Sequence, residues 1–206
     1  DSAYSYTVTT ADDDGDTITL TGTTVPSWLT FTASSGALAG TPDNDDVGSH
    51  SVVITASDGN GGSVTDSFSI AVANTNDAPT ITSTAVTSVN EDSAYSYTTT
   101  ASDVDTGDTV TLTCTTVPSW MSCTDGALTG TPLNAHVGAH SVVITASDDN
   151  GGSTTDTFTV TVANTNDAPT ISSTAVTSVN EDSAYSYTVT TADDDGDTIT
   201  LTGTTV

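Results

Sequence analysis

Three features of this sequence predict an all-β chain of tandem antiparallel sandwich domains. The first is self-similarity at long period. NTNDAPT begins at Asn74 and again at Asn164, a spacing of 90 residues, and DSAYSYT begins at Asp1, Asp92 and Asp182. That period exceeds the repeat length of most solenoids and is the size of one small sandwich domain. The second is period-two alternation of apolar and polar residues, the mark of half-buried strands. The third is punctuation: Gly, Pro, Asn and Asp fall between the alternating runs, and no segment has helical spacing.

Within a repeat the elements follow in order. AYSYT from Ala94 aligns Tyr95 and Tyr97 on one side of a strand. TVTLTCTT from Thr109 places Val110, Leu112 and Cys114 on one face and threonines on the other. Its sister run from Thr17 places Ile18 and Leu20 likewise. Trp28 and Trp120, each after Pro-Ser, are the bulkiest apolar groups per repeat and are expected between the sheets. SVVITAS from Ser51 buries Val52, Ile54 and Ala56, and SVTDSFSIAVAN from Ser63 buries Phe68, Ile70 and Val72. SDGNGGS from Ser57 and SDDNGGS from Ser147 join such runs as hairpin turns do. About seven short strands per repeat, in two packed antiparallel sheets, is the expected solution. The expected domains are residues 1–77, 78–167 and 168–206, the last a fragment too short to bury a core alone. Residues 182–206 repeat residues 1–25 letter for letter, so the chain reads as a window on a longer array.

Composition narrows the function. There is no Lys or Arg, Asp and Glu number 27, and the formal charge is −27. Nucleic acid and anionic membrane surfaces are unsuitable partners for such a chain, and no run is long and apolar enough to form a membrane-spanning helix. No carboxylate can be neutralised by a Lys or Arg, so self-repulsion is relieved by dilution over the surface, by salt or by bound metal ions, and metal is the better reading where several acids converge. Cys114 and Cys123 replace Gly22 and Phe31 of the sister repeat, and both changes fall in one copy. Their paired arrival suggests a disulfide between neighbouring strands in an oxidising compartment, with two buried thiols as the alternative. His50, His136 and His140 form no zinc-type cluster. No serine sits in a G-x-S-x-G setting, and the acids fall at turns and not around a pocket, so catalysis is not expected.

VNEDSAYSYT, ASDVDTGD, PSW, GALTGTP, VVITASDDNGG and FTVTVANTNDAPT, in that order, resemble the cadherin-like repeats of bacterial surface proteins. The nearest class is the dystroglycan-type cadherin-like or "putative Ig" repeat. The resemblance implies Ca2+ where successive domains meet. Carried over, the linker ligands are Asn74, Asn76 and Asp77, with Asp103 and Asp105 as the Asp-x-Asp of the next repeat, Asp148 as its later Asp, and Glu91 as the early Glu. At the second junction they are Asn164, Asn166 and Asp167, with the acidic pair placed at Asp194 and Asp195. The Asp-Arg-Glu motif of cadherins is missing, its place taken by GALAGTPDNDD and GALTGTPLNAH. The residues suit the ion on their own terms, because calcium takes six to eight oxygens from carboxylates, amides and backbone.

The expected function is a structural stalk or filament repeat of a giant extracellular surface protein or adhesin, on the cell surface or secreted, stiffened by calcium at the junctions. Its partners would be neighbouring repeats of the same chain and identical chains in any fibre it builds. The alternative is a glycan- or protein-binding module, with Trp28 and Trp120 as stacking platforms, or an accessory domain of a secreted enzyme.

Overall fold

The computed structural model describes residues 2–203, which fall into two compact units. The first ends at Asp77 and adds Val104–Asp108; the second comprises Ala78–Asp103 and the described residues from Thr109 onward.

In the first unit the strands are β1 (Tyr4–Thr7), β2 (Thr19–Thr24), β3 (Leu29–Thr32), β4 (Ala37–Gly40), β5 (Gly48–Ser57) and β6 (Ser63–Val72). They form two antiparallel sheets, β1-β4-β3 and β2-β5-β6. The alternation of SVVITAS works as read: Val52 and Ile54 are fully buried, and Ala56 is nearly so. They meet Leu29 and Leu38 across the sandwich. The turn SDGNGGS joins β5 to β6, with Ser57 opposite Ser63. Phe68, Ile70 and Val72 of β6 are only half-buried.

The second unit contains β7 (Thr80–Ile81), β8 (Ser88–Asn90), β9 (Tyr95–Thr98), β10 (Ala101–Ser102), β11 (Thr111–Thr116), β12 (Met121–Thr124), β13 (Ala127–Gly130), β14 (Gly138–Ser147) and β15 (Ser153–Ala163). Two short strands follow, β16 (Thr170–Ile171) and β17 (Thr191–Ala192), which pair antiparallel. The main sheets are β12-β13-β9 and β11-β14-β15-β8. The complete repeat is therefore cut into more pieces than its apolar runs suggest. β7 and β10 make a separate short ladder, and Val110 falls outside β11. β8 joins β15 in parallel, Val89 opposite Val162. Under that cover Val160 and Val162 are 0% and 1% exposed, and Tyr95 and Tyr97 are 3% and 6% exposed.

Both glycines of the G-A-L-x-G signature have a steric cause. Gly36 and Gly126 make the β3–β4 and β12–β13 turns at φ +69° and +76°, a left-handed conformation that side chains resist. A Cβ on Gly40 or Gly130 would lie 2.0 Å or 2.4 Å from the carbonyl oxygen of Trp28 or Trp120. The leucine between them, Leu38 or Leu128, is completely buried. The signature thus pins one strand against the tryptophan-bearing turn of its neighbour. Each indole packs on its core, met edge-on by Tyr4 and His50 around Trp28 and by Tyr95 and His140 around Trp120, with ring centroids 5.9–6.1 Å apart.

Cys114 of β11 is bonded to Cys123 of β12. These strands belong to different sheets, so the bridge ties the two layers of the sandwich together. In the first unit the same space is filled by the Phe31 ring lying over Gly22. A Cβ on Gly22 would come within 3.1 Å of Phe31 Cδ1 and 2.8 Å of Val25 Cγ2. The two repeats thus hold two solutions to one packing problem. Cys114→Gly or Cys123→Phe alone should each destabilise the chain by about 1–3 kcal/mol, through loss of the bridge and through a void or overpacking. The double variant recreates the Gly–Phe pair, and its cost should fall below the sum of the singles by roughly 1 kcal/mol or more. Denaturant melts of the four chains measure this, and strict additivity would contradict it.

Candidate metal centre

The site is built from the linker that leaves a sandwich and the acidic loop of the repeat that follows. At the second junction every part lies in one compact unit. The turn after β8 places Asp92 at φ 56°, a left-handed conformation that Asp tolerates. The Asp92 N–H donates to the Pro132 carbonyl at 2.7 Å, and the Glu91 N–H donates to the Ala163 carbonyl at 2.9 Å. Glu91 is thereby held across the end of β15, only 1% exposed. Its Oε1 accepts the Thr165 N–H of the linker at 2.7 Å. Its Oε2 is buried with no hydrogen-bond partner among the described residues.

Two residues further on, the Asp167 N–H donates to Asp195 Oδ2 at 2.5 Å. Asp195 Oδ1 is a second buried oxygen with no partner among the described residues. The loop that carries Asp195 is shaped by Asp193, whose Oδ1 accepts the N–H of Asp195 at 3.1 Å and of Asp197 at 3.0 Å. This side-chain-to-backbone turn leaves one carboxylate oxygen each of Asp193, Asp195 and Asp197 within 4.8 Å of one another. Asp194 is exposed, and its backbone carbonyl accepts from the Asn134 side chain. The carboxylates gathered by this turn are therefore those of Asp193, Asp195 and Asp197. Asp194 still lines a cleft of about 450 Å³ with Asp92, Asn134 and Asp167.

The first junction repeats the central bond at the same sequence offset. The Asp77 N–H donates to Asp105 Oδ2 at 2.6 Å, and Asn44 Nδ2 donates to Asp77 Oδ2 at 2.8 Å. Asp105 is 4% exposed. The loop after β1 shows the same turn, with Asp12 Oδ1 accepting from the N–H groups of Asp14 and Asp16. There the gathered carboxylates are Asp12, Asp16 and Asp58.

The remaining sequence candidates take other places. Asn76 and Asn166 each donate their amide to the carbonyl of the next residue, Asp77 or Asp167, and so brace the linker. Asn74 and Asn164 are exposed. Asp148 shapes the β14–β15 turn, its Oδ1 accepting the N–H groups of Asn150 at 2.9 Å and Gly152 at 2.7 Å. Asp108, Asp193 and Asp197 were legible only by aligning SDVDTGD with ADDDGD, which sets these aspartates in equivalent columns.

The electrostatics point one way. Asp167 is held above its ordinary value of 3.8, first by desolvation and then by the negative charges of Asp195, Asp92, Glu91 and Asp194. With no Lys or Arg in the sequence, no side-chain cation other than histidine can offset that charge. Buried, unpartnered carboxylate oxygens beside further carboxylates suit a hard divalent cation with oxygen ligands. Glu91, Asp167 and Asp195 are the residues that fit it.

The raised value fixes a sign. The folded chain binds the Asp167 proton more tightly than the unfolded chain, so ionised Asp167 costs stability at neutral pH. That cost shrinks as pH falls through the raised value and is gone below the unfolded value of 3.8. In chelator, Asp167→Asn should therefore be more stable than the parent chain at neutral pH, with the difference closing on acidification. Thermal melts across pH measure it, and a difference that stays constant with pH would contradict it.

A family model described as "Putative Ig domain" matches residues 1–73 and again 78–163. The chain is 31% identical over 138 residues, 66% of its length, to the "Serine-rich adhesin for platelets" of Staphylococcus aureus, and it spans 6% of that protein. Among solved structures, cadherin domains 3–6 of protocadherin gamma B2 align with a TM-score of 0.53 at 18% identity, covering 83% of this chain and 45% of that one. The protocadherin gamma B4 extracellular domain aligns at 0.52 and 19%, covering 86% and 32%. At such identities the protocadherins speak for the fold alone.

Proposed function

The chain belongs to the Putative Ig domain family, and from that premise we propose that it is a stretch of structural repeats from an extracellular adhesin-type surface protein, stiffened by calcium where one repeat meets the next. The observation that carries this reading is buried Glu91, which caps the linker with one oxygen and turns the other toward no partner among the described residues. Asp167 on that same linker is bonded to Asp195 of the following repeat. A cation held by Glu91, Asp167 and Asp195 would join the end of one sandwich, the linker and the next acidic loop. Bending at the linker would then require breaking ligand bonds. The adhesin likeness, the Cys114–Cys123 bridge and the acidic surface support an extracellular setting. Among the described residues no helix is long and apolar enough to cross a membrane. The tryptophans, met edge-on and packed against their cores, suit a structural role better than a stacking platform.

Calcium that binds only the folded state adds RT ln(1 + [Ca2+]/Kd) to stability, about 2.7 kcal/mol at a hundredfold excess over Kd. The melting temperature should therefore rise by several degrees between chelator and saturating calcium, and the maximum dimension in small-angle scattering should become sharper and longer. Glu91→Gln keeps the shape of the side chain and removes its charge, and it should weaken the calcium response while leaving the chelated melting temperature unchanged or higher. Identical melts and scattering curves with and without calcium would overturn the calcium part and leave a spacer of family folds.

A further inference from the structure

One strand pairing in the second unit runs the other way from the rest. β8 and β15 are parallel, while every other pair among the described residues is antiparallel. β8 stands near the start of its repeat and β15 at its end. The chain thus enters and leaves this sandwich through two strands bonded side by side and pointing the same way. Tension along the chain pulls β8 backward and β15 forward. The bonds of a parallel pair lie across the strands at even spacing, so such a pull loads them all at once. A hairpin pulled at its open ends instead loses its bonds one after another.

The join is longer than its three-residue ladder. Before β8, the Thr161 N–H donates to the Thr87 carbonyl at 2.9 Å, and after it the Glu91 N–H donates to the Ala163 carbonyl at 2.9 Å. The Glu91 side chain carries the series past the end of β15, its Oε1 accepting the Thr165 N–H at 2.7 Å. Residues 161, 163 and 165 are thus each tied to the β8 side. Both flanks of β8 are anchored in turn. The Tyr95 hydroxyl donates to the Val86 carbonyl at 2.7 Å, and the Asp92 N–H donates to the Pro132 carbonyl at 2.7 Å. Beneath the ladder Val89 packs on the core and Val160 and Val162 are buried, which closes one side of the bonds to water. The Cys114–Cys123 bridge lies off this path, between β11 and β12.

We propose that β8, Glu91 and the end of β15 form a force-bearing clamp, the element that sets the tension this repeat withstands before it unfolds. Its use rests on the stalk reading above, because a stalk carries load from end to end. The property itself rests on the topology of the second unit alone. Glu91 then has two tasks. Its N–H and Oε1 belong to the clamp, and Oε2 is the oxygen left for a cation.

Single-molecule force spectroscopy of the 206-residue chain tests this, in chelator so that no cation contributes. Handles attached at Thr87 and Thr165, both exposed, load the clamp in shear. Handles at Thr87 and Ser153 hold the starts of both strands and peel the same bonds in turn. At one loading rate the shear geometry should rupture at roughly two- to threefold higher force, because the bonds at Thr161, Ala163 and Thr165 share the load there and carry it singly in the other. Reducing the Cys114–Cys123 bridge, whose cysteines are 9 residues apart, should lengthen the released chain by about 30 Å and so mark the event as this sandwich. Val89→Pro takes a donor out of the ladder and should bring the shear force down to the peeling force. Ile144→Val, in the core and off the clamp, should lower stability to denaturant and leave the shear force near that of the parent. Equal forces in the two geometries of the parent chain, or a shear force that falls with Ile144→Val as far as with Val89→Pro, would overturn the proposal. Neither result bears on calcium-dependent melting, so this clamp and the calcium reading fail separately.

Discussion

Uncompensated negative charge is the constraint under which this chain folds. With 27 acidic groups and no Lys or Arg, charge cannot be neutralised by the ion pairs that most domains use. Many aspartates are therefore put to work as backbone caps. Asp12, Asp58, Asp148 and Asp193 each accept two N–H groups of their own loops. A carboxylate used in this way keeps its charge and rigidifies a turn. The exceptions are the buried oxygens of Glu91 and Asp195, which no such cap satisfies among the described residues. Their place, at a linker flanked by sandwich and loop, makes the charge problem and the mechanical problem one and the same.

The sandwiches themselves are lean. Each core rests on four to seven deeply buried residues with half-buried neighbours around them, and threonine and serine occupy much of the strand surface. Such a domain gains from anything that couples its two sheets. One repeat uses the Phe31–Gly22 contact and the other the Cys114–Cys123 bridge. A cation at the junction would add a third kind of tie, acting between repeats and not within one.

The strands that pair at length were legible in the sequence because alternation encodes which face is buried. Val52, Ile54, Tyr95 and Tyr97 lie where their period-two runs put them. The signature glycines were legible as a motif, and their cause emerged only from the approach of the Trp28 and Trp120 carbonyls. Segments held by backbone alone were not legible. The β7–β10 ladder and the parallel β8–β15 contact involve two or three residues each, too few to show a period. Ile70 and Val72 are half-buried although β6 alternates as β15 does, so alternation alone does not set the depth of burial. Motif order led to Glu91, Asp77, Asp105, Asp167 and Asp195, and hydrogen bonds tie these residues to the linkers. That Asp193, and not Asp194, shapes the loop follows from a side-chain-to-backbone turn that a run of three aspartates does not record. The exposure of Asn74 and Asn164 follows from the path of the linker, which side-chain pattern does not record.

The central claim is that Glu91, Asp167 and Asp195 at the second junction hold a divalent cation. A crystal structure of the chain grown with calcium, with anomalous scattering recorded to identify the ion, tests it most directly. The account predicts a calcium ion bonded to Glu91, Asp167 and Asp195 at the 2.3–2.6 Å typical of calcium–oxygen contacts. Water alone at that position, with the same carboxylates turned outward under saturating calcium, would contradict it.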